Sequence, residues 1–208
     1  MSDGWAWTAV ALLGVWHGIN PAMGWLFAVA SGMQERSQAA VWRSLGPLAV
    51  GHALAVGAAI LATIAAEAVM PARAVQWLVA GCLIGMGLYR LGRARHPRFG
   101  GMRMGSIELA TWSFLMATAH GAGLMVMPLV LRRAEVTTVA SHHMSAAAPA
   151  SGLGVTLLHS GTYLLVTAIV ALLVYSWLGL RQLRTIWVNL DVVWGMALIL
   201  TGIATPWV

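Results

Sequence analysis

Long uncharged runs alternate with short arginine-bearing ones along the whole chain. Trp5–Ala30, Ser44–Ala66 and Leu109–Leu131 contain no Asp, Glu, Lys or Arg. Ala74–Tyr89 is shorter, but Arg73 and Arg90 at its ends can snorkel and lengthen it. Val136–Leu180 is uncharged throughout, and its first part, TTVASHHMSAAAPASG, is small and polar and reads as a loop. That leaves Leu153–Leu178 as a fifth apolar stretch, and Thr185–Val208, interrupted only by Asp191, as a sixth. A helix needs about 20 mostly apolar residues to cross a hydrocarbon core about 30 Å thick. The pattern predicts an all-α membrane protein with six transmembrane helices.

Composition narrows the function classes. The 208 residues are 60% hydrophobic and 9% charged, against about 25% charged in a soluble domain. An ordinary soluble protein and a disordered chain are both excluded. The single cysteine, Cys82, rules out a disulfide scaffold and a dithiol relay. No Ser/His/Asp set, P-loop or haem-attachment CxxCH appears, so the chain is not expected to be an enzyme. The N-terminus, MSDGWAW, carries Asp3 where a cleavable leader has a basic region, so the first stretch is expected to be retained.

The net charge of +6 comes from twelve arginines, with no lysine in the chain. It reads as a topology signal, and no nucleic-acid partner is expected. The loops after the first, third and fifth stretches carry nine of them: Arg36, Arg43, Arg90, Arg93, Arg95, Arg98, Arg103, Arg181 and Arg184. The opposite side carries Arg73, Arg132 and Arg133. The positive-inside rule puts both termini outside the inner (cytoplasmic) membrane, together with the loop containing His142 and His143.

The chain repeats itself weakly but in order. VWHGINPAM in the first stretch faces TAHGAGLM in the fourth, so His17-Gly18 matches His120-Gly121. GPLAVGHALAV and GLGVTLLHSGTYLLV match His52 with His159, and WLVAGCLIGMG and WVNLDVVWGMA match Trp77 with Trp187 and Gly85-Met86 with Gly195-Met196. The offsets are 103, 107 and 110 residues, a slow drift of the kind small loop insertions produce. Because each half holds three spans, the second is expected to be inverted relative to the first. Residues 1–105, with the basic cytoplasmic loop, and 106–208, with the His-containing external loop, then form one integral membrane domain.

Histidines inside a bilayer are costly, and a single one is commonly only an interhelical hydrogen-bond partner. Four related by internal symmetry point instead to a metal site or a proton relay. His17, His52, His120 and His159 are therefore the candidate metal ligands, for a transition-metal ion of the nickel, cobalt, copper or zinc type. Pro21 is expected to kink or break the first span beside His17. Asn20, Met23 and Met125 are candidate additional ligands, and Asp191, near Asn189 and Arg184, is a candidate for proton coupling. His142 and His143 are candidates for external metal capture. His96 sits among Arg93, Arg95 and Arg98, a lipid-phosphate contact, and Glu108 reads as interfacial.

The run His17-Gly-x-Asn20-Pro21-x-Met23 resembles the first-helix signature of NicO-type nickel/cobalt transporters, and Gly51-His52 resembles that family's next-helix Gly-His pair. Six spans in two inverted halves and a Gly-rich third span are similar to the wider LysE-type transporter superfamily. The chain departs from the signature at Asn20, where a carboxylate is usual, and at Met23, where a second histidine is usual.

The resemblance implies a secondary transporter that moves a transition-metal cation by alternating access. The alternative is a non-transporting subunit or assembly factor of a membrane metalloenzyme complex, with the Gly-rich faces serving partner contacts. A histidine-held haem is a third reading. Partners expected are the lipid bilayer, the metal ion, and either a second copy or a membrane-complex subunit. The orientation is tested in a Cys82→Ser background. An impermeant maleimide is expected to label His142→Cys in intact cells and Arg98→Cys only after permeabilisation; the reverse pattern overturns it.

Overall fold

The computed structural model describes residues 3–92, 104–129, 147–178 and 190–207. His96, the arginines around it, Arg132, Arg133, His142, His143 and Asn189 lie outside the described residues. All regular structure among the described residues is helical. In chain order it is α1 (Asp3–Ile19), a 3-10 turn (Pro21–Met23), α2 (Trp25–Glu35), α3 (Gln38–Glu67), α4 (Ala72–Gly92) and α5 (Ser106–Ala119). After these come α6 (Ala122–Leu129), α7 (Ala147–Leu173) with a terminal π turn (Val174–Leu178), and α8 (Leu190–Ala204) with a 3-10 turn (Thr205–Trp207).

Three helical segments, Gln38–Glu67, Ala72–Gly92 and Gly152–Trp177, are long and apolar enough to cross a membrane. A fourth crossing is formed if α5 and α6, which meet at a 51° bend, are counted as one. The apolar run from Trp5 to Ala30 is divided between α1 and α2, and the described part of the last run, Val192–Trp207, is shorter.

Both interruptions have local causes. Pro21 opens the 3-10 turn because its ring fixes φ and it has no N–H to continue the α1 ladder. Asn20 enters in an extended conformation, and its Oδ1 accepts the Ala22 N–H at 2.9 Å. Gly24 then takes φ 118°, a left-handed conformation that a Cβ would strain, and starts α2. The second interruption has no proline: the chain turns at His120 and at Gly121, whose φ is 67°.

The helices pack in pairs, α1 on α7, α3 on α5 and α4 on α8. Glycines bring the backbones together. A Cβ on Gly14 would strike the Thr162 hydroxyl and the His159 carbonyl, and one on Gly51 would strike the Ala110 carbonyl. One on Gly87 would sit 2.6 Å from both the Gly195 carbonyl oxygen and Ile199 Cγ1. Small residues at crossings are how helices gain close contact where no hydrophobic effect operates between them and lipid.

Polarity is distributed inside out. Buried side chains include His17, Asn20, Ser44, His52, Thr63, Ser113, His120, His159 and Thr167, while Leu12, Leu54, Leu61, Ile107, Leu157 and Leu200 are exposed. Exposed Trp5, Trp77 and Trp207 mark one end of the bundle, and Trp42, Tyr89 and Trp177 the other. An apolar outer surface between two aromatic ends is what lipid requires. Two apolar clusters fill the interior. One contains Val10, Val56, Ile60, Val126 and Val155; the other contains Trp25, Val29, Leu45, Leu109 and Ala171. His52 on α3 lies between Leu45 and Val56, and His159 on α7 between Val155 and Ala171, so the polar layer falls between the clusters.

The α4–α8 crossing supplies a stability test. Gly87→Ala is expected to push the helices apart and cost about 1–3 kcal/mol, the usual penalty for overpacking. Gly57→Ala, whose Cβ would meet nothing within 4 Å, is expected to stay within about 0.5 kcal/mol of the parent. Thermal unfolding in detergent measures both.

Candidate functional site

Three of the four intramembrane histidines meet. The His17 ring, in the last turn of α1, lies 5.8 Å from the His52 ring on α3 and 5.0 Å from the His159 ring on α7, both edge-on. The His52 and His159 rings are 5.4 Å apart and nearly parallel. All three side chains are fully buried. His120 is linked to them through Trp194. Its ring is 5.2 Å from Trp194, on α8, and Trp194 is in turn 4.8 Å from His17. The indole therefore touches both His17 and the fourth histidine.

Hydrogen bonds fix the ring tautomers. His17 Nδ1 is 2.7 Å from the Leu13 carbonyl oxygen, and His120 Nδ1 is 2.8 Å from that of Met116. His159 Nδ1 reaches the Val10 carbonyl oxygen on α1 at 3.3 Å. A carbonyl only accepts, so on His17 and His159 Nδ1 carries the proton and, in the neutral ring, the lone pair is left on Nε2; His120 Nδ1 also has Arg90 Nη2, a donor, at 3.4 Å. Nε2 of His17 and of His159, and both nitrogens of His52, have no hydrogen-bond partner among the described residues. Buried polar atoms are normally satisfied, so such a concentration in one cluster demands an explanation.

The broken first helix closes the cluster from one side. Its freed carbonyls are taken by aromatic donors: Trp25 Nε1 to Ile19 at 3.0 Å, Trp112 Nε1 to Ala22 at 3.3 Å, and Tyr163 Oη to Met23 at 2.8 Å. The Tyr163 ring also stacks on His52, 3.8 Å between centroids and 13° from parallel. Tyr163 was not a sequence candidate, although its spacing from His159 is four residues and that to Thr167 is four again, which puts all three on one face of α7. Trp194 was missed because eleven tryptophans gave no reason to choose one.

The remaining candidates separate. Asn20 is buried at the break, with Nδ2 unpartnered. Met23 is buried beside Met116 and Tyr163. Met125 belongs to the apolar cluster with Val10 and Val126. Asp191 lies in the first turn of α8, its side chain outside the described set. Glu108 accepts the Gly105 N–H at 2.9 Å and caps its own helix. Arg90 turns to the end of α5, where Nε donates to the Ala119 carbonyl at 3.0 Å. Among the described residues, no group of three or more His, Cys, Asp or Glu side chains gathers its donors to hold a metal ion. The three imidazoles touch through rings, not through converging nitrogens.

Comparison with protein-family models, characterised proteins and solved structures gives no match for this chain.

The stack on His52 gives a second test. Tyr163→Phe leaves the buried Met23 carbonyl without its donor and is expected to cost about 1–3 kcal/mol. Ser160→Ala deletes a buried hydroxyl that has no partner among the described residues, and is expected to be neutral or stabilising. Denaturation of both variants in detergent checks the contrast.

Proposed function

We propose that the chain is a secondary transporter that moves a transition-metal cation through a midplane histidine site by alternating access. The observation that carries this reading is the cluster of His17, His52 and His159, three fully buried imidazoles whose outward nitrogens have no hydrogen-bond partner among the described residues. Neutral imidazole with its second nitrogen held by a carbonyl is the usual form of a histidine metal ligand. His17 and His159 have that arrangement in advance. Binding an ion requires these rings to rotate until their lone pairs share a point, a movement of side chains already in contact.

Helix polarity supports a cation. His17 ends α1 and His120 caps α5, so both stand at C-terminal ends of half-helices, where the backbone dipole is negative. Half-helix termini at an interrupted span are the usual cation sites of secondary transporters. The cluster holds no carboxylate among the described residues, so a bound ion keeps most of its charge. A monovalent soft ion such as Cu(I), or a borderline divalent ion held loosely enough to leave, suits such a donor set.

The reading includes six spans in two inverted halves, 1–105 and 106–208, in the inner membrane with both termini outside. The packing supports it. α1 on α7 and α3 on α5 exchange when first is swapped with fourth and second with fifth, and α4 on α8 maps onto itself. The matching interruptions at Gly24 and Gly121, and the matching Nδ1 bonds of His17 and His120 to carbonyls four residues earlier, follow the same exchange. The likeness of His17-Gly-x-Asn20-Pro21 to NicO-type transporters points the same way.

The test is a series of alanine variants, assayed for bound Co(II), Ni(II), Zn(II) and Cu(I) and for flux into proteoliposomes. His17→Ala, His52→Ala and His159→Ala are each expected to weaken metal binding by about 10–100-fold, the range seen when a metal's supporting shell is lost. His120→Ala is expected to slow flux more than it weakens binding. Unchanged metal content and flux in all four variants overturns the reading.

A further inference from the structure

We propose that the hydroxyls of Tyr163, Ser113 and Thr167, with the Met23 and Leu48 carbonyls, form a sodium site beside the histidine cluster. Sodium binding at these oxygens stands on its own; its role as the coupling ion of the histidine site rests on the transport reading above.

The broken first helix supplies one carbonyl. Met23 ends the 3-10 turn, and the α2 ladder starts one residue later, where the Gly24 carbonyl accepts the Phe27 and Ala28 N–H groups. The Met23 carbonyl accepts the Tyr163 hydroxyl instead, at 2.8 Å. Ser113, on α5, donates across to the Leu48 carbonyl on α3 at 2.7 Å. Ser113 and Thr167 both lie against the Tyr163 hydroxyl. Thr167 is fully buried, yet its Oγ1 has no hydrogen-bond partner among the described residues. Thr63, Thr118, Thr156, Thr162 and Thr201 behave otherwise, each donating to the carbonyl four residues earlier. That is the usual local bond of a helical threonine. Thr167 forgoes it and turns to Tyr163.

A hydroxyl has one proton and two lone pairs. Tyr163 and Ser113 have sent their protons to carbonyls, so what they offer Thr167 and each other is lone pairs. A cation satisfies all three oxygens at once and takes the second lone pair of each carbonyl as well. Unwound carbonyls beside polar side chains are how secondary transporters hold Na⁺. Neutral oxygens alone suit a hard monovalent ion, because calcium and magnesium sites draw on carboxylates. The acidic side chains among the described residues are placed elsewhere: Glu35 pairs with Arg43, Glu67 ends α3 and Glu108 caps α5. Tight packing favours the smaller alkali ion, since even a Cβ on Gly51 would come within 2.9 Å of the Ser113 Cβ. The link to the histidines is Tyr163, whose ring stacks on His52 at 3.8 Å. An ion that holds the phenol oxygen holds the ring, and with it one face of His52.

The thermal midpoint of the purified full-length protein in detergent tests the site, in sodium, potassium or choline chloride at equal ionic strength. Sodium is expected to raise the parent's midpoint by about 3 °C or more over choline, and further than potassium does. Thr167→Val, which keeps the shape and loses the hydroxyl, and Ser113→Ala are each expected to need about ten-fold more sodium for the same rise. Thr156→Val, the same change at a threonine bonded within its own helix, is expected to keep the parent's response. Where Thr167→Val does not fold, loss of the response in Ser113→Ala and its retention in Thr167→Ser uphold the site. No sodium-specific rise in the parent, or an undiminished one in Thr167→Val and Ser113→Ala, overturns it. A sodium rise in a parent that binds none of Co(II), Ni(II), Zn(II) or Cu(I) upholds the site and overturns the metal-transport reading. Metal binding without a sodium rise does the reverse.

Discussion

A helix broken inside hydrocarbon has to find partners for the carbonyls it frees, because no water is there to take them. That constraint organises this protein around Asn20–Gly24. Pro21 ends the α1 ladder, and Trp25, Trp112 and Tyr163 supply the donors that replace it. The three come from α2, α5 and α7, so satisfying one break pulls three other segments onto the end of α1. Each unsatisfied group would cost several kcal/mol in lipid. The break is thus a point at which the bundle is pinned.

The site inherits its form from that pin. Ending α1 at Ile19 leaves His17 in the last turn, next to carbonyls that point into the bundle. Drawing Tyr163 in to Met23 lays its ring on His52 and presents His159, one helical turn away, to His17. Three imidazoles meet because a backbone defect was closed by aromatic side chains that share their faces. Among the described residues no ion pair takes part, and the one between Arg43 and Glu35 is exposed at the end of the bundle, where it contributes little.

Much of this was legible along the chain, for reasons that differ from one residue to another. Apolar runs such as Ser44–Ala66 marked α3 directly, since a helix facing lipid is apolar on all sides and needs no periodicity to be seen. Pro21 announced the first interruption, because its chemistry is local. The interruption at His120-Gly121 was hidden: nothing in HGAG demands a turn, and the conformation there comes from packing against Leu83, Met86 and Leu198. The depth of the histidines was readable, but which of them face one another was not. Ring contact depends on crossings set by Gly14, Gly51 and Gly87, whose role as close-approach positions has no signature beyond their size. Met125 reads equally well as a thioether ligand or as packing, and in the fold it belongs to the apolar cluster.

The departure from symmetry carries as much meaning as the symmetry. His17 and His120 end interrupted helices, and each sets Nδ1 against the carbonyl four residues earlier, so the two interruptions hold their imidazoles in the same way. Identical halves would give identical surroundings and no direction. The difference lies in what has collected around each ring. His17 has His52, His159 and, through His52, Tyr163; His120 has Trp194 on one side and Arg90, within 3.4 Å, on another. A guanidinium repels a cation at short range, whereas no arginine lies against the three-histidine cluster among the described residues. On the proposed reading a cation would be held more firmly at the cluster than at His120, and the difference between two similar imidazoles would come from their neighbours rather than from the rings themselves.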